Sequence, residues 1–562
     1  MLTLPALKAG LLGDDYVHRT ILLRRGELAP FNRPVMDLFA FVKRGEPADA
    51  MRDLGYLPWW SDPAIRISFL RPITALTHIL DYALGPDRIV LHHLHSLCWF
   101  FLGVALVSAL YRMIPDMPAR AAGLAGLLFA VEDAHAFPAG WIANRNALLC
   151  LVLGTATLMC HLRWRATGKP RWLIPGLALF TAGLACGEAT LGVLGYIAAW
   201  QLAMEHDRPR AHSMFAVSGY LGVLVVWLLV YRGLGYGVTG SCLYLDPTRQ
   251  PLRFAQALAE RWPVLCAGQW LQLPIDAWLL LTNWMRFGAT LASVVLVAGV
   301  AALLWPLLQR PVARFWAIGM TLSIVPLCAA FPMDRLLLFP GVGAIGLLGL
   351  FIDSCLVSSP PATYRRRRAA AIVLLVLHGP IAAVLLVGKT LALPTWGGFF
   401  SAAVPREPAD PTVADRTFVY VNGNDFPVVY SRVIPIANGD PAPRRVVQLA
   451  SMTDSNLVHR ADPHTLVVTP RDGFLAHPTD QLLASHDRSF SDGELIERPD
   501  YRAEVVRLTS DGRPACVSFR FRQPLEDPSY QWLYWKDRRL RTFDLPQVGT
   551  SVVIQGNMLS PF

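Results

Sequence analysis

Apolar residues gather into long runs as far as about residue 390 and fall into short alternating stretches after it. The chain therefore reads as two kinds of material joined in series. The long runs lie at 89–112, 119–134, 141–162, 172–187, 188–204, 213–234, 287–307, 312–331, 336–355 and 369–389. Each is read as a helix crossing a hydrocarbon core of about 30 Å. Basic residues mark every second connection: Arg112 and Arg120, then Arg163, Arg165, Lys169 and Arg171, then Arg208 and Arg210, then Arg310 and Arg314, then Arg365 to Arg368. The positive-inside bias puts those loops in the cytoplasm. Segments 14–88, 235–286 and 390–562 then face outward, as do the tight turns near 132–140, 187–188 and 332–335.

An even number of spans with an external C-terminus puts residue 1 outside as well. Residues 1–13 are apolar but too short to cross. They read as the stub of a first helix whose beginning lies before Met1, or as an interfacial helix. Within the first external segment, Val35–Val42 and the spaced set Phe69, Leu70, Ile73, Leu76, Ile79 and Leu80 predict two short amphipathic helices. Trp59 and Trp60 are expected at headgroup level. From about Glu407 the pattern predicts strands over Thr417–Val421, Arg445–Leu449, Thr465–Thr469, Ala515–Arg520 and Ser551–Gln555. Turns are expected at Asn422-Gly423, Asp472-Gly473 and Asp511-Gly512. The fold class is thus an α-helical polytopic membrane protein of about ten spans, with a C-terminal all-β, sandwich-like extracytoplasmic domain. Its parts are 1–88 (stub and external loop), 89–389 (transmembrane helices), 390–406 (linker) and 407–562 (β-rich domain).

Composition agrees. Of 562 residues 53% are hydrophobic and only 16% charged, against about a quarter charged in soluble domains. The net charge of +10 is explained by arginines at the ends of apolar runs and does not call for nucleic acid. Six of the nine cysteines lie in or beside apolar runs, where a small apolar residue suffices. Cys242 and Cys266 share one external loop and are candidates for a disulfide.

Chemistry concentrates at the outer ends of the runs. Asp14 and Asp15 can deprotonate a hydroxyl or bind a divalent cation, or else cap the helix Tyr16–Leu23. Glu132, Asp133 and His135 occupy one short turn; they form a second contact site or a solvated hairpin. Asp15, Glu132 and Asp133 are the candidate ligands for such a cation. Arg145, about one turn inside a run, needs a phosphate or a carboxylate. Glu188 sits in a hairpin with almost no loop, paired or in reach of water. Arg335 suits a lipid phosphate or pairs with Asp334. Arg71, Arg145, Arg232 and Arg335 together make an external cationic set against the positive-inside trend. His78, His92, His93 and His95 are too scattered for a metal site. Trp532, Tyr534 and Trp535 form either a sugar-stacking platform or an alternating core strand.

In this order the motifs resemble the GT-C class of membrane glycosyltransferases, above all the transmembrane-and-tetratricopeptide O-mannosyltransferases and their bacterial relatives. Gly13-Asp14-Asp15-Tyr16 resembles the acidic motif of the first external loop. Ser68-Phe69-Leu70-Arg71-Pro72-Ile73-Thr74 is similar to the Phe-Arg-Pro-Leu-Thr stretch. Leu127–Val131 through Trp141-Ile142 and Arg145 is similar to the segment reading His-Pro-x-His before Trp and Gly-Arg. Gly187-Glu188 stands where the family has Lys-Glu, and Tyr231-Arg232 and Asp334-Arg335 are weaker echoes. The sequence departs from the pattern at Glu132, Asp133 and Gly187. No tetratricopeptide array follows, which leaves the acceptor open.

The resemblance covers about residues 1–355. It implies transfer of a sugar from a polyprenyl-phosphate carrier to a glycan, lipid or protein acceptor outside the cytoplasm. Asp14 or Asp15 would be base or metal ligand, Glu132, Asp133 and His135 would line the second-loop site, and Arg145 and Arg335 would hold the lipid phosphate. The expected location is the inner membrane of a bacterial cell envelope, with the β domain periplasmic. A flippase for lipid-linked sugars, or an inactive scaffold presenting the β domain, are the alternatives. The flippase would need polar residues at mid-bilayer.

Overall fold

The computed structural model describes residues 1–25, 32–45, 48–205, 210–356, 365–404, 411–452, 454–485, 487–536 and 539–556. Arg208, and residues 405–410 where the linker was expected to give way to the β domain, lie outside the described residues.

Three short helices precede the first long one: α1 (Asp14–Leu22), α2 (Ala48–Leu54) and α3 (Pro72–Leu84). The helical region then runs α4 (Ile89–Met113), α5 (Ala119–Val131), α6 (Ala136–Gly140), α7 (Arg145–Thr167), α8 (Pro170–Leu184), α9 (Gly192–Ala203) and α10 (Arg210–Gly233). It continues with α11 (Pro251–Leu271), α12 (Asn283–Leu304), α13 (Pro311–Ile324), α14 (Leu338–Leu356), α15 (Arg365–Val376) and α16 (Ala382–Ser401). Helices α3, α8, α11 and α13 all open on proline, whose fixed φ suits the first turn and whose missing N–H has no helical partner to lose there.

Each expected span is a helix. Seven stretches among the described residues are long and apolar enough to cross a membrane: Ile89–Met113, Ile142–Thr167, Phe215–Gly233, Asn283–Leu304, Pro311–Ala329, Leu338–Leu356 and Arg365–Ser401. The other three expected spans, α5, α8 and α9, are helices of 13, 15 and 12 residues. The longest of these rises only about 22 Å, short of a full crossing. The last helix runs through a π turn at Leu377–Ile381 and on to Ser401, so residues 390–401, expected as linker, are helical.

Small residues set the helix spacing. A Cβ on Gly319 would come within 2.3 Å of the Tyr196 ring, and one on Gly343 within 2.6 Å of the Trp316 carbonyl. That closeness lets the Tyr196 hydroxyl donate to the Phe339 carbonyl at 2.6 Å and accept from the Gly343 N–H at 2.8 Å.

Two expectations for the first external segment need correction. Val35–Val42 is not a helix: after a 3-10 turn it becomes strand β1 (Ala40–Val42), which pairs with β2 (Arg66–Ser68). Strand β3 (Gly237–Thr239) completes that sheet from a distant loop. Trp59 and Trp60 are not at headgroup level. They are buried against Phe474, Phe490 and Phe519 of the C-terminal region, and the Trp59 indole donates to the Leu449 carbonyl at 3.2 Å. The second set does form the helix α3.

The C-terminal region is β-rich, as expected. Strands β4 (Thr417–Gly423), β5 (Arg445–Ser451), β11 (Tyr530–Lys536) and β12 (Arg539–Thr542) form one sheet in the order β12-β11-β4-β5. Strands β6 (Asn456–Asp462), β7 (Thr465–Pro470), β8 (Leu495–Glu497), β9 (Tyr501–Leu508), β10 (Pro514–Phe521) and β13 (Ser551–Ile554) form another, antiparallel throughout. It departs from an all-β plan in one place. Asn422-Gly423 ends β4 without turning a hairpin, and α17 (Asp425–Asn438) carries the chain across to β5, which pairs parallel with β4. Parallel neighbours need such a crossover. Trp532 and Trp535 are buried in β11, which makes the aromatic trio a core strand and not a platform. Cys242 and Cys266 are not joined.

Candidate active site

The turn between α5 and α7 packs against α1 and against the turn before α14, and the turn between α8 and α9 carries Glu188 to Arg71 at the start of α3. Helix α1 begins at Asp14, directly after Gly13. Gly13 has φ +44°, and a Cβ on it would lie 3.0 Å from the Phe400 ring of α16. Only glycine suits that turn. Both acidic residues thus stand in the first helical turn, where the helix dipole favours negative charge.

The two carboxylates differ. Asp15 is buried and both its oxygens are engaged: Oδ2 accepts from the Leu12 N–H at 2.9 Å and Oδ1 from the Ala143 N–H at 2.6 Å. Asp15 therefore ties the α1 start to the turn that precedes Arg145. Burial pushes its carboxyl up to about 8, against those two N–H groups. Asp14 is partly exposed and its Oδ1 accepts from the Tyr430 hydroxyl of α17 at 2.6 Å. Burial raises it as well, opposed by that hydrogen bond and by the charges of Arg335 and Arg71.

Arginines fall into two classes. Arg145 is fully enclosed and finds the carboxylate that burial demands: Asp81 of α3, at 2.5 Å. It also donates to the Ser96 hydroxyl at 2.9 Å and the His92 carbonyl at 2.8 Å. Asp81 receives His95 at 2.7 Å as well. His78 and His92 lie beside this pair without forming a metal cluster, and His93 reaches the Gly10 carbonyl. Arg71 pairs with Glu188 at 2.9 Å, and Tyr231 donates to the other Glu188 oxygen at 3.2 Å. Arg232 lies 3.5 Å from Asp246. Arg335 differs from these. Its recorded neighbours are the Trp141 ring, 5.2 Å away, and the Met333 sulfur at 3.3 Å. Asp334 does not pair with it. Asp334 instead bonds Lys389 of α16, which also holds Asp133 at 2.5 Å. The Trp141 indole in turn donates to the Leu12 carbonyl at 3.0 Å, which places Arg335 next to the acidic start of α1.

The second-loop residues are each occupied. Glu132 meets His378 of the π turn at 3.3 Å and Gln269 at 3.2 Å. His135 is enclosed by the rings of Phe100 and Phe129, so it is a core side chain and lines no site. Asp15, Glu132 and Asp133 do not share a centre, and no group of three or more His, Cys, Asp or Glu among the described residues is placed to hold a metal ion. Gly187, where the resembled motif has lysine, sits in a tight corner: a Cβ there would lie 3.1 Å from the Cys150 sulfur and 3.3 Å from the Asn146 amide.

Five residues were missed from sequence: Asp81, Asp276, His378, Lys389 and Tyr430. Lys389 carried a usable signal, a cation at the end of an apolar run, the same signal that singled out Arg145. Asp276 joins the cluster by accepting the Asp334 N–H at 3.0 Å. Burial pushes Asp334 up to about 7, with the Asp276 charge adding to it and Lys389 opposing it.

No protein-family model matches the chain. Among solved structures, ArnT from Cupriavidus metallidurans in the apo state aligns over 74% of this chain and 86% of its own, at 14% identity and a TM-score of 0.36. The archaeal oligosaccharyltransferase AglB from Archaeoglobus fulgidus, in complex with an inhibitory peptide and a dolichol-phosphate, aligns over 76% and 63%, at 12% identity and a TM-score of 0.34. Protein O-mannosyl-transferase Tmtc2 of Drosophila melanogaster is 28% identical over 172 residues, 28% of this chain and 18% of that protein. The chain thus spans less than a fifth of that relative's length. On its motifs and on that stretch of sequence, the chain resembles the membrane glycosyltransferases of the GT-C class, and an O-mannosyl-transferase among them.

Proposed function

We propose that this chain is a membrane glycosyltransferase that moves a sugar from a polyprenyl-phosphate carrier to an acceptor hydroxyl on the non-cytoplasmic face. Asp14 acts as general base. The acceptor oxygen bonds to the anomeric carbon as the bond from that carbon to the phosphate oxygen breaks. The acceptor proton passes to Asp14, and the polyprenyl phosphate leaves as an anion with the sugar inverted. A base near the acceptor and a cation near the leaving phosphate are what such a step requires.

The observation that carries this reading is the pairing of roles at one place: Asp14 with one oxygen uncommitted, and Arg335, near enough for its charge to act on Asp14, with no carboxylate partner within ion-pair distance among the described residues. Arg71 adds positive charge from the other side, although Glu188 partly neutralises it. Arg145 supports the site from beneath, since Asp81 already matches its charge. The acceptor class, and the periplasmic side of a bacterial inner membrane as the place of reaction, belong to the same proposal.

Membranes containing the full chain, given radiolabelled polyprenyl-phosphate mannose, are expected to move label from that carrier to a second molecule, separated from the donor by chromatography. Mannose is chosen because the similar Drosophila protein carries that activity in its name. If no label moves from this or any other polyprenyl-phosphate sugar supplied, the transferase reading is wrong and the scaffold alternative takes its place.

A further inference from the structure

The C-terminal region reaches Asp14 through helix α17. The apolar face of α17 packs on α1, with Val433 and Ile434 against Val17 and Ile21. Arg19 of α1 clamps the far end of α17 by donating to the Ala437 carbonyl at 3.1 Å. At the near end the Tyr430 ring is buried edge-on to Phe400, 5.1 Å between centroids, and Phe400 is the same ring that fills the space beside Gly13. The last membrane helix, the C-terminal region and the acidic start of α1 are therefore locked around one hydroxyl. That hydroxyl donates to Asp14 Oδ1 at 2.6 Å.

We infer that Tyr430 is a positioning residue for the Asp14 carboxylate, so that the C-terminal region completes the site and is not a separate module. This rests on the proposed role of Asp14. The phenol holds Oδ1 and fixes the carboxylate plane, which leaves Oδ2 to meet the acceptor hydroxyl. A hydrogen bond donated to the charged form also stabilises that form. The groups facing Asp14 are Tyr430 from α17, Arg335 from the turn before α14, Arg71 at the start of α3, and Asp15 on its own helix. The two arginines and Tyr430 favour ionisation, while burial opposes it.

Tyr430→Phe removes the hydroxyl and keeps the ring that Phe400 packs on. With the donor gone, the Asp14 carboxyl should hold its proton to higher pH, by roughly one unit for a charge-assisted hydrogen bond. The measurement needs no substrate. The full chain in lipid nanodiscs is treated across pH with a hydrophobic carbodiimide, which modifies protonated carboxyls, and the adduct is located by peptide fragmentation. The midpoint for Asp14 should move up in Tyr430→Phe. A base that is protonated more readily also gives transfer whose pH profile lies at higher pH than that of the unsubstituted chain.

An unchanged or lowered midpoint overturns the inference. So does faster transfer in Tyr430→Phe at every pH, because the phenol would then be a cap that blocks Asp14. The underlying reading fails separately, if Asp14→Asn still transfers sugar whatever Tyr430 does.

Discussion

Asp14→Asn is expected to lower the rate of sugar transfer by about 100- to 10,000-fold, the range for loss of a general base. Asparagine keeps the shape of the carboxylate and can still accept from Tyr430 and stand in the first turn of α1. What it loses is the capacity to take a proton. The loss should therefore appear in kcat with little change in the donor concentration needed for half-maximal rate. Asp15→Asn should behave differently. Its amide cannot accept from both the Leu12 and the Ala143 N–H groups, so the start of α1 should loosen from the turn before Arg145. The variant should lose stability along with activity. The initial rates and unfolding midpoints of the two variants, side by side, separate the base from its support. Wild-type rates in Asp14→Asn would remove the base assignment.

Asp81→Asn should destabilise the folded chain by about 3–5 kcal/mol, the cost of breaking a buried ion pair by removing one partner. Arg145 is fully enclosed, and its remaining partners are two hydroxyls, two carbonyls and the His95 ring. The substitution leaves a buried guanidinium without its ion-pair partner, and His95 loses the same carboxylate. Chemical unfolding in bicelles measures the effect. Adding Arg145→Met should recover part of the loss, since it removes the orphaned charge, and the double-mutant cycle gives the coupling. Additive losses would mean that the pair is not coupled. Because Arg145 lies beneath Asp15, the single variant should also lower transfer.

Much of the fold was legible because two strong signals agree: apolar runs of spanning length, and basic residues at alternate ends. Helix α3 was legible from its three- and four-residue spacing. The strands over Thr417–Gly423, Arg445–Ser451, Thr465–Pro470, Pro514–Phe521 and Ser551–Ile554 were legible from alternation and turn residues. What the pattern could not carry was long-range partnership. Trp59 and Trp60 have the composition of an interfacial pair, and only the arrival of Phe474, Phe490 and Phe519 from the far end of the chain turns them into core. Helix α17 follows an Asn-Gly that signals a hairpin, but parallel pairing of β4 with β5 overrides that local preference.

The site divides in the same way. Asp14, Asp15, Arg71, Arg145, Glu188 and Arg335 stood out because charge beside an apolar run is costly. Which charge satisfies which was not readable. Arg145 proves to be matched by Asp81, Asp133 and Asp334 by Lys389, and Asp14 is held by Tyr430 from beyond the last membrane helix. Those pairings leave Arg335 without a carboxylate partner among the described residues, which is why the proposal gives it the incoming phosphate.

The central claim is that a lipid phosphate sits between Arg335 and the acidic start of α1. Its most direct test is an electron-microscopy map of the full chain in nanodiscs loaded with polyprenyl phosphate. The account predicts phosphate density within hydrogen-bond distance of the Arg335 guanidinium and beside the start of α1, with the isoprenoid running out between helices into the bilayer. Phosphate density on the opposite membrane face, or a bound lipid whose phosphate is remote from Arg335, would contradict it.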